Sequence, residues 1–436
     1  MTAGPLRCCY ARPDGELVVA PEPWLALGRS GTALTGGSEW IPLPPGSSVA
    51  RLPGRPVVAR RGPGGRPETW ARHRGTAAAA ILPVGYWRLL LPAHGPAEPG
   101  GPVLPLYGYT ALAERDGTLL AAARRSDTLA SWDPAGFSAD DLPARVAEAE
   151  RALPGNPIIA QLRRCAMEHN CYTAQNTFHR RFEGALPASA ACNADCLGCI
   201  SLQTDSGAPT PQPRLGRAPS STDLVAVAAY HLSGADAQMV SFGQGCEGEP
   251  LLQLPRLLPA VRAIRARFPR ATIHINTNGS RPAALTALVA AGLDSARISA
   301  FSFSQPLFAA YYRPRGYTIE DVVESGRRLH RLGAQVAVNL LTFPGVTDSP
   351  PEVERTAEAL EAMGAGQLQL RSLNVDPLWL LDRLPALPAG IGLPAFLRRL
   401  RQRLPQLQVG NFTRPVEQPG MAMAAAAGAT GVAAGR

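Results

Sequence analysis

From about residue 183 the chain repeats one pattern: a short apolar run, a polar or glycine-rich break, then an amphipathic stretch of helical period. The apolar runs Ala185–Ala191, Gln238–Phe242, Thr272–Asn276, Ser295–Ala300, Gln335–Leu341 and Gln367–Arg371 read as strands. Ser221 or Thr222 opens the first intervening helix, through Leu224, Val227 and Tyr230. Leu254, Leu257, Leu258, Val261 and Ile264 mark the next, with a kink expected at Pro259, and Pro282–Ala291 a third. Thr318 with Asp321 forms a variant capping box for a helix closing at Gly333, and Ser349-Pro350 caps one that ends at Gly364. A last helix spans Pro394–Leu404 before a short strand at Leu407–Val409. Strands separated by helices pair in parallel, because parallel neighbours need a long crossover. Six such units suit an open, partial barrel.

Ligand-binding residues of α/β barrels gather at the C-terminal ends of the strands. The first strand here delivers Cys192, Cys196 and Cys199, at spacings of three and two. Structural zinc usually takes four ligands in a closed tetrahedron. A cubane iron–sulfur cluster has four irons, so three local thiolates leave one iron open. A cluster, a zinc ion and non-ligating thiols are the three readings of the spacing alone. The second strand ends in Ser241-Phe242-Gly243-Gln244-Gly245-Cys246-Glu247-Gly248-Glu249-Pro250 and the third in Asn276-Thr277-Asn278-Gly279. The fourth ends near Ser299, the fifth at Asn339 and the sixth at Arg371. Any one of these is an ordinary loop residue. Five in register with the cysteines point to a single site at one barrel end.

The triplet Cys192-Asn193-Ala194-Asp195-Cys196-Leu197-Gly198-Cys199 resembles the C-x3-C-x2-C signature of the radical S-adenosylmethionine (radical SAM) superfamily. Gly248-Glu249-Pro250 is similar to the second motif of that family. The resemblance covers roughly 185–375, and the layout is similar to a stand-alone group with an N-terminal extension. It implies a partial (β/α)6 barrel and a 4Fe–4S cluster held by Cys192, Cys196 and Cys199. It implies S-adenosylmethionine across the barrel top, with Glu249 meeting the methionyl amine through its carboxylate or backbone carbonyl. Gly248, Asn276, Asn278, Ser299, Asn339 and Arg371 are the further cofactor-binding positions it implies. The activity implied is reductive cleavage to a 5′-deoxyadenosyl radical that abstracts hydrogen from a substrate, with electrons from a flavodoxin or ferredoxin. The position before the third cysteine is usually aromatic in the family and packs near the adenine; here it is Gly198, so adenine contacts must come from elsewhere. Two readings from other classes are a non-catalytic iron–sulfur electron carrier and a zinc-stabilised protein that binds RNA through arginines. The polar strand ends favour the enzyme, since a carrier needs no cofactor pocket.

The remaining sequence reads as three further regions. Residues 1–135 form a β-rich accessory domain: Pro13-Asp14-Gly15 and Arg115-Asp116-Gly117 each separate two strand-like runs. Cys8 and Cys9 are adjacent on one such strand and so point to opposite faces. Residues 136–182 form a helical connector, 183–415 the barrel core, and 416–436 an Ala/Gly-rich tail expected to be disordered. Cys165 lies on an apolar helix face, and Cys171 is about 240° further round, so the two converge only if the chain breaks near Asn170. Cys246 sits inside the cofactor turn, as a packed small residue, a hydrogen-atom or thiolate donor to substrate, or a ligand of a second cluster. Tyr311-Tyr312-Arg313-Pro314-Arg315-Gly316-Tyr317 is either a rim loop or a stacking and charged surface for an anionic or ring substrate. All 43 basic residues are arginine. The lack of lysine excludes a Walker phosphate loop and a lysine Schiff base. The net charge of +9 is scattered without a long basic run, so nucleic acid is not indicated. With no leader and no long apolar run, a cytoplasmic protein is expected, with cysteines as thiols or metal ligands.

Overall fold

The computed structural model describes residues 4–69, 75–97, 101–104, 106–133, 136, 140–203 and 205–423. Its centre is a seven-stranded, wholly parallel sheet in sequence order. The strands are β1 (Arg181–Leu186), β2 (Asp236–Phe242), β3 (Thr272–Thr277), β4 (Ser295–Ala300), β5 (Gln335–Thr342), β6 (Gln367–Ser372) and β7 (Gln408–Gly410). β1 and β7 do not pair, so the barrel stays open on one side. The register brings Leu186 beside Phe242, Phe242 beside Ile275, Ser299 beside Asn339 and Leu341 beside Arg371.

Strand alternation gives the sheet two unlike faces. Val240, Ile273, Ile275, Ile298, Val338 and Leu368 are fully buried under the helices. The opposite face is polar and cross-linked: Ser241 donates to Glu183 (2.6 Å), His274 meets Ser295 (2.7 Å), and Arg297 donates to Gln369 (2.7 Å). This polar face lines the lumen.

The first strand stops earlier than its apolar run. Pro187 has no N–H to continue the ladder. The next two N–H groups, of Ala188 and Ser189, donate to Glu247 Oε2 at 2.7 and 2.8 Å instead of to a strand. Residues 187–191 therefore run as the approach to the cysteines. The helix Leu254–Arg267 is continuous through Pro259. A helix at Gln305–Tyr312, hidden in the sequence by its aromatic run, follows β4.

The N-terminal region is built on a ten-stranded antiparallel sheet. It is bolted to the C-terminal ends of β5 and β6 and to the segment after β7. Trp87 Nε1 donates to Thr342 Oγ1 (2.8 Å), Arg88 to the Leu373 carbonyl (2.6 Å), and the Asp127 carboxylate accepts the Asn411 N–H (2.8 Å). Arg55 and Asp376 form a buried ion pair at 2.5 Å. Cys8 and Cys9 belong to separate apolar clusters, and burial pushes both thiols up to about 12.

Helices Leu142–Ala152, Pro157–Met167 and Tyr172–His179 link the two regions. The chain breaks between the last two, where Asn170 adopts φ +49°, and Cys171 N–H reaches the Cys165 carbonyl (3.0 Å). Residues 416–423, expected to belong to a disordered tail, are instead packed against the barrel. Val416 N–H donates to Thr272 Oγ1 (3.0 Å), Gly420 N–H to Asp294 (2.6 Å), and Ala422 is buried. The rest of that tail, 424–436, and part of the boundary near 135 lie outside the described residues. None of the described helices is long and apolar enough to cross a membrane.

Candidate active site

Cys192, Cys196 and Cys199 sit half-buried on an irregular loop that other segments hold in shape. Asp195 and Leu197 donate their N–H groups to the carbonyls of Tyr312 (2.9 Å) and Tyr311 (3.0 Å). Arg315 N–H reaches the Asn193 carbonyl (2.8 Å), and its guanidinium reaches the Cys192 carbonyl (2.6 Å). Arg214 donates to Cys199 Sγ (3.5 Å) and to Ser201 Oγ (3.1 Å). Burial, and then the neighbouring Cys199 and Cys192, push the Cys196 thiol far up; burial also raises Cys192. Bare thiolates are thus disfavoured here, and bound positive metal reverses that balance. Among the described residues no three His, Cys, Asp or Glu side chains converge on a single metal ion. Three thiolates on three corners of a cubane suit this donor set.

The turn after β2 is fastened directly to this loop. Gly248 and Glu249 donate their N–H groups to the carbonyls of Ser189 (2.7 Å) and Ala191 (2.8 Å). A Cβ on Gly248 would lie 2.0 Å from the Ala191 carbonyl oxygen, so only glycine permits the approach. Both oxygens of the Glu249 carboxylate are hydrogen-bonded within the protein. Oε1 accepts Thr277 Oγ1 (2.6 Å) and Leu251 N–H (3.0 Å), and Oε2 accepts Asn278 N–H (2.8 Å). Burial raises this carboxyl to about 6 against those donors. Its carbonyl accepts Leu252 N–H (3.2 Å) and keeps one lone pair free.

The other strand-end residues divide into two groups. Asn278 donates to the Asn193 side chain (2.9 Å), and Asn276 donates to the Phe242 carbonyl (3.0 Å), so both shape the loops. Ser299 and Asn339 meet each other at 3.4 Å, leaving Asn339 Oδ1 buried without a partner. Arg371 lies deeper, with Glu183, Arg297, Gln244, Cys171 and Phe412, around a cavity of about 640 Å³ in the open side of the barrel.

Several residues escaped sequence reasoning. Glu247 holds Ala188, Ser189 and Gln244 (2.6 Å) by their N–H groups, tying the cysteine approach to the β2 turn. Its position one residue before Gly248-Glu249 was the available signal. Tyr311–Arg315 support the cysteine loop from behind: Tyr311 and Tyr312 are buried, Tyr311 stacks on Phe301 (4.5 Å), and neither is a surface for substrate. The space beside Gly198 is filled by Tyr311, Val375 and Leu373, each within 3 Å of where a Cβ would stand. The Cys246 thiol is buried in the core, not in the cavity. It pairs with Cys165, which also accepts from Gln212 (3.3 Å), and that shared bond raises Cys246. The thiol that lines the cavity is Cys171, which burial pushes up to about 11.

Residues 186–359 match the family described as the Radical SAM superfamily. The FeMo cofactor biosynthesis protein NifB of Klebsiella pneumoniae is 25% identical over 217 residues, 46% of this chain and 45% of NifB. The match therefore spans under half the length of that curated relative. Among solved structures, a radical SAM methyltransferase from Sphaerobacter thermophilus covers 53% of this chain and 65% of its own, at 17% identity and TM-score 0.38. The radical S-adenosylmethionine methyltransferase TsrM from Kitasatospora setae, with tryptophan and a SAM analogue bound, covers 44% and 36%, at 17% identity and TM-score 0.34.

Proposed function

We propose that this chain, whose residues 186–359 match the Radical SAM superfamily, binds a 4Fe–4S cluster through Cys192, Cys196 and Cys199 and cleaves S-adenosylmethionine reductively, giving a 5′-deoxyadenosyl radical that acts on a substrate. Bound there, the cluster would supply an electron to the sulfonium and an open coordination site for the methionyl amine and carboxylate. The observation that carries the reading is the double fastening of Gly248-Glu249 to the carbonyls just before Cys192. It sets the β2 turn against the thiols, where a chelated amine would meet the free lone pair of the Glu249 carbonyl. The Glu249 carboxylate acts through this turn, as a positioning group. Gly248, Asn276 and Asn278 hold the same geometry, while Ser299 and the unpartnered Asn339 Oδ1 offer contacts to ribose or carboxylate. Arg214 donates to Cys199 Sγ (3.5 Å) and so helps to hold that side chain in place. Electrons come from an external reductant of the flavodoxin or ferredoxin type.

The test is anaerobic reconstitution followed by dithionite reduction. Formation of 5′-deoxyadenosine, and a change in the reduced cluster's EPR signal on adding S-adenosylmethionine, are the expected results. An intact cluster showing neither would leave an electron carrier as the better reading.

A further inference from the structure

The open side of the barrel is walled by the N-terminal region. Residues Ile81–Val84 and Trp132 from that region face Arg371, Arg297 and Glu183 of the sheet across the cavity of about 640 Å³. Phe412, just after β7, completes the wall and stacks on Trp132 at 5.1 Å. Gln244, from the turn that carries Gly248 and Glu249, also lines the space and donates to the Ser241 carbonyl (2.9 Å). The cavity therefore runs from the lumen to the cofactor turn.

Its charges do not balance. Among the described lining residues two are arginines and one, Glu183, is a carboxylate. Glu183 is held by Ser241 at 2.6 Å. Arg297 spends one nitrogen on Gln369 (2.7 Å), while its Nε is buried without a partner. No hydrogen bond or ion pair of Arg371 is found among the described residues; its guanidinium lies over the Phe412 ring at 5.7 Å. His169 Nε2, also on this wall, is buried and unpartnered. Asp127, the next carboxylate toward Arg371, is already taken by the Asn411 N–H (2.8 Å) and Arg414 (3.5 Å). Burial first, and then Arg297, lower Arg371 to about 9, so the two guanidiniums repel. Surplus positive charge in a partly buried cavity is costly unless a ligand supplies the counter-charge.

Resting on the radical SAM reading, we propose that this cavity is the substrate pocket and that Arg297 and Arg371 select a small molecule carrying a carboxylate. The planar guanidinium of Arg371, set by the face of Phe412, grips such a group in a bidentate manner. The N-terminal region then supplies the outer wall of the pocket, which the unclosed barrel lacks.

The test is calorimetric titration of the full chain, with its cluster reconstituted, using succinate and its neutral diamide as probes. Succinate should bind and the diamide should not. Arg297→Met and Arg371→Met should each weaken succinate about tenfold, the loss of one charge-assisted contact. Glu183→Gln should tighten it about threefold by removing the competing carboxylate, a gain that misfolding cannot mimic. Equal binding of both probes, unchanged affinity in the arginine variants, or weaker binding in Glu183→Gln would each overturn the proposal. So would competition: if saturating S-adenosylmethionine displaces succinate, the arginines serve the cofactor's carboxylate. Failure of the enzyme reading is read separately, as the lack of an EPR change on adding S-adenosylmethionine without succinate.

Discussion

The rim that carries the cysteines and the lumen beneath it are both polar, yet they spend their polar groups differently. On the rim, Glu247 and Glu249 each accept three donors from the protein itself, and Asn278 bridges to Asn193. In the lumen, Arg297 Nε, Asn339 Oδ1 and His169 Nε2 are buried with no partner. Buried polar groups are nearly always paired, and an exception asks for a reason. Two rim carboxylates satisfied from within suit the proposed role of the rim as a scaffold for thiols and cofactor. A lumen with unpartnered polar atoms suits the substrate pocket proposed for it. Glu249, the carboxylate that the sequence singles out as a ligand, is therefore one already bound by three donors of the protein itself.

The largest effect expected of the rim is on iron. Replacing Cys192, Cys196 and Cys199 together by Ala should abolish the chromophore and the bound iron, while Cys165→Ser with Cys246→Ser should leave both intact. Iron and sulfide analysis after anaerobic purification reads the outcome. Retention of iron in the triple variant would break the comparison at its root, because the rim would then be scaffolding nothing.

Next is the scaffold itself. Gly248→Ala forces a Cβ to within 2.0 Å of the Ala191 carbonyl oxygen, backbone against backbone. Overpacking of this kind costs about 3 kcal/mol, and the displaced turn should lower cluster occupancy. Gly216→Ala, with nothing within 4 Å of its Cβ, is the control and should change stability by less than about 0.5 kcal/mol. Denaturant midpoints of the two variants decide it. Equal midpoints would mean that the turn and the cysteine approach are not tightly coupled.

Much of the rim was legible in advance, because motif spacing and strand-end position are local properties. The alternation after residue 183 fixed the parallel partial barrel, and the cysteines and Gly248-Glu249 fell on the ends of neighbouring strands. What stayed hidden depends on contacts between distant segments. Glu247 reaches back to Ala188 and Ser189, and the carbonyls of Tyr311 and Tyr312 take N–H groups of the cysteine loop, neither of which has a sequence period. The lumen was harder still. Arg297 sits mid-strand, where charge argues against burial, and only the register that brings Gln369 and Glu183 around it reveals a cavity. Helical phase made any convergence of Cys165 and Cys171 depend on a chain break near Asn170, and the left-handed residue there supplies that break.

A smaller effect belongs to the lumen. His274 bonds Ser295 (2.7 Å) and Asn276 (3.1 Å) on the polar face, and burial followed by Arg297 lowers it from 6.5 to about 3. A histidine held neutral in the folded state contributes stability that is present above its unfolded pKa and lost as pH falls toward the folded one. The unfolded chain binds the proton first, so stability should drop from about pH 6.5 downward, by on the order of 2 kcal/mol at pH 5 for this residue. His274→Gln should remove that share of the acid sensitivity. The wild-type minus variant difference in Tm, measured at pH 7 and 5, should therefore shrink or change sign at the lower pH. A constant difference would show that the lumen tolerates another positive charge, against the surplus argued from Arg297 and Arg371.

The smallest expected effect separates positioning from contact at Glu249. If the carboxylate itself bound the methionyl amine, Glu249→Gln would cut cofactor affinity sharply while Thr277→Val would do little. The observed bonds predict something else. Thr277 Oγ1 and Leu251 N–H share Oε1, and Asn278 N–H faces Oε2. A glutamine can keep its oxygen toward the first pair, but then sets an amide N–H₂ against the Asn278 N–H. One charge-assisted bond is lost, worth about 1.5 kcal/mol at the low end of its range, or about tenfold in binding. Thr277→Val removes one neutral donor to the same carboxylate and should cost about 1 kcal/mol, a change of severalfold. Both variants should weaken S-adenosylmethionine in step, read from its concentration dependence of the EPR change, and both should lower cluster occupancy slightly through the shared turn. A strong defect in Glu249→Gln beside a silent Thr277→Val would make Glu249 a direct ligand, and the rim would no longer be a scaffold satisfied from within.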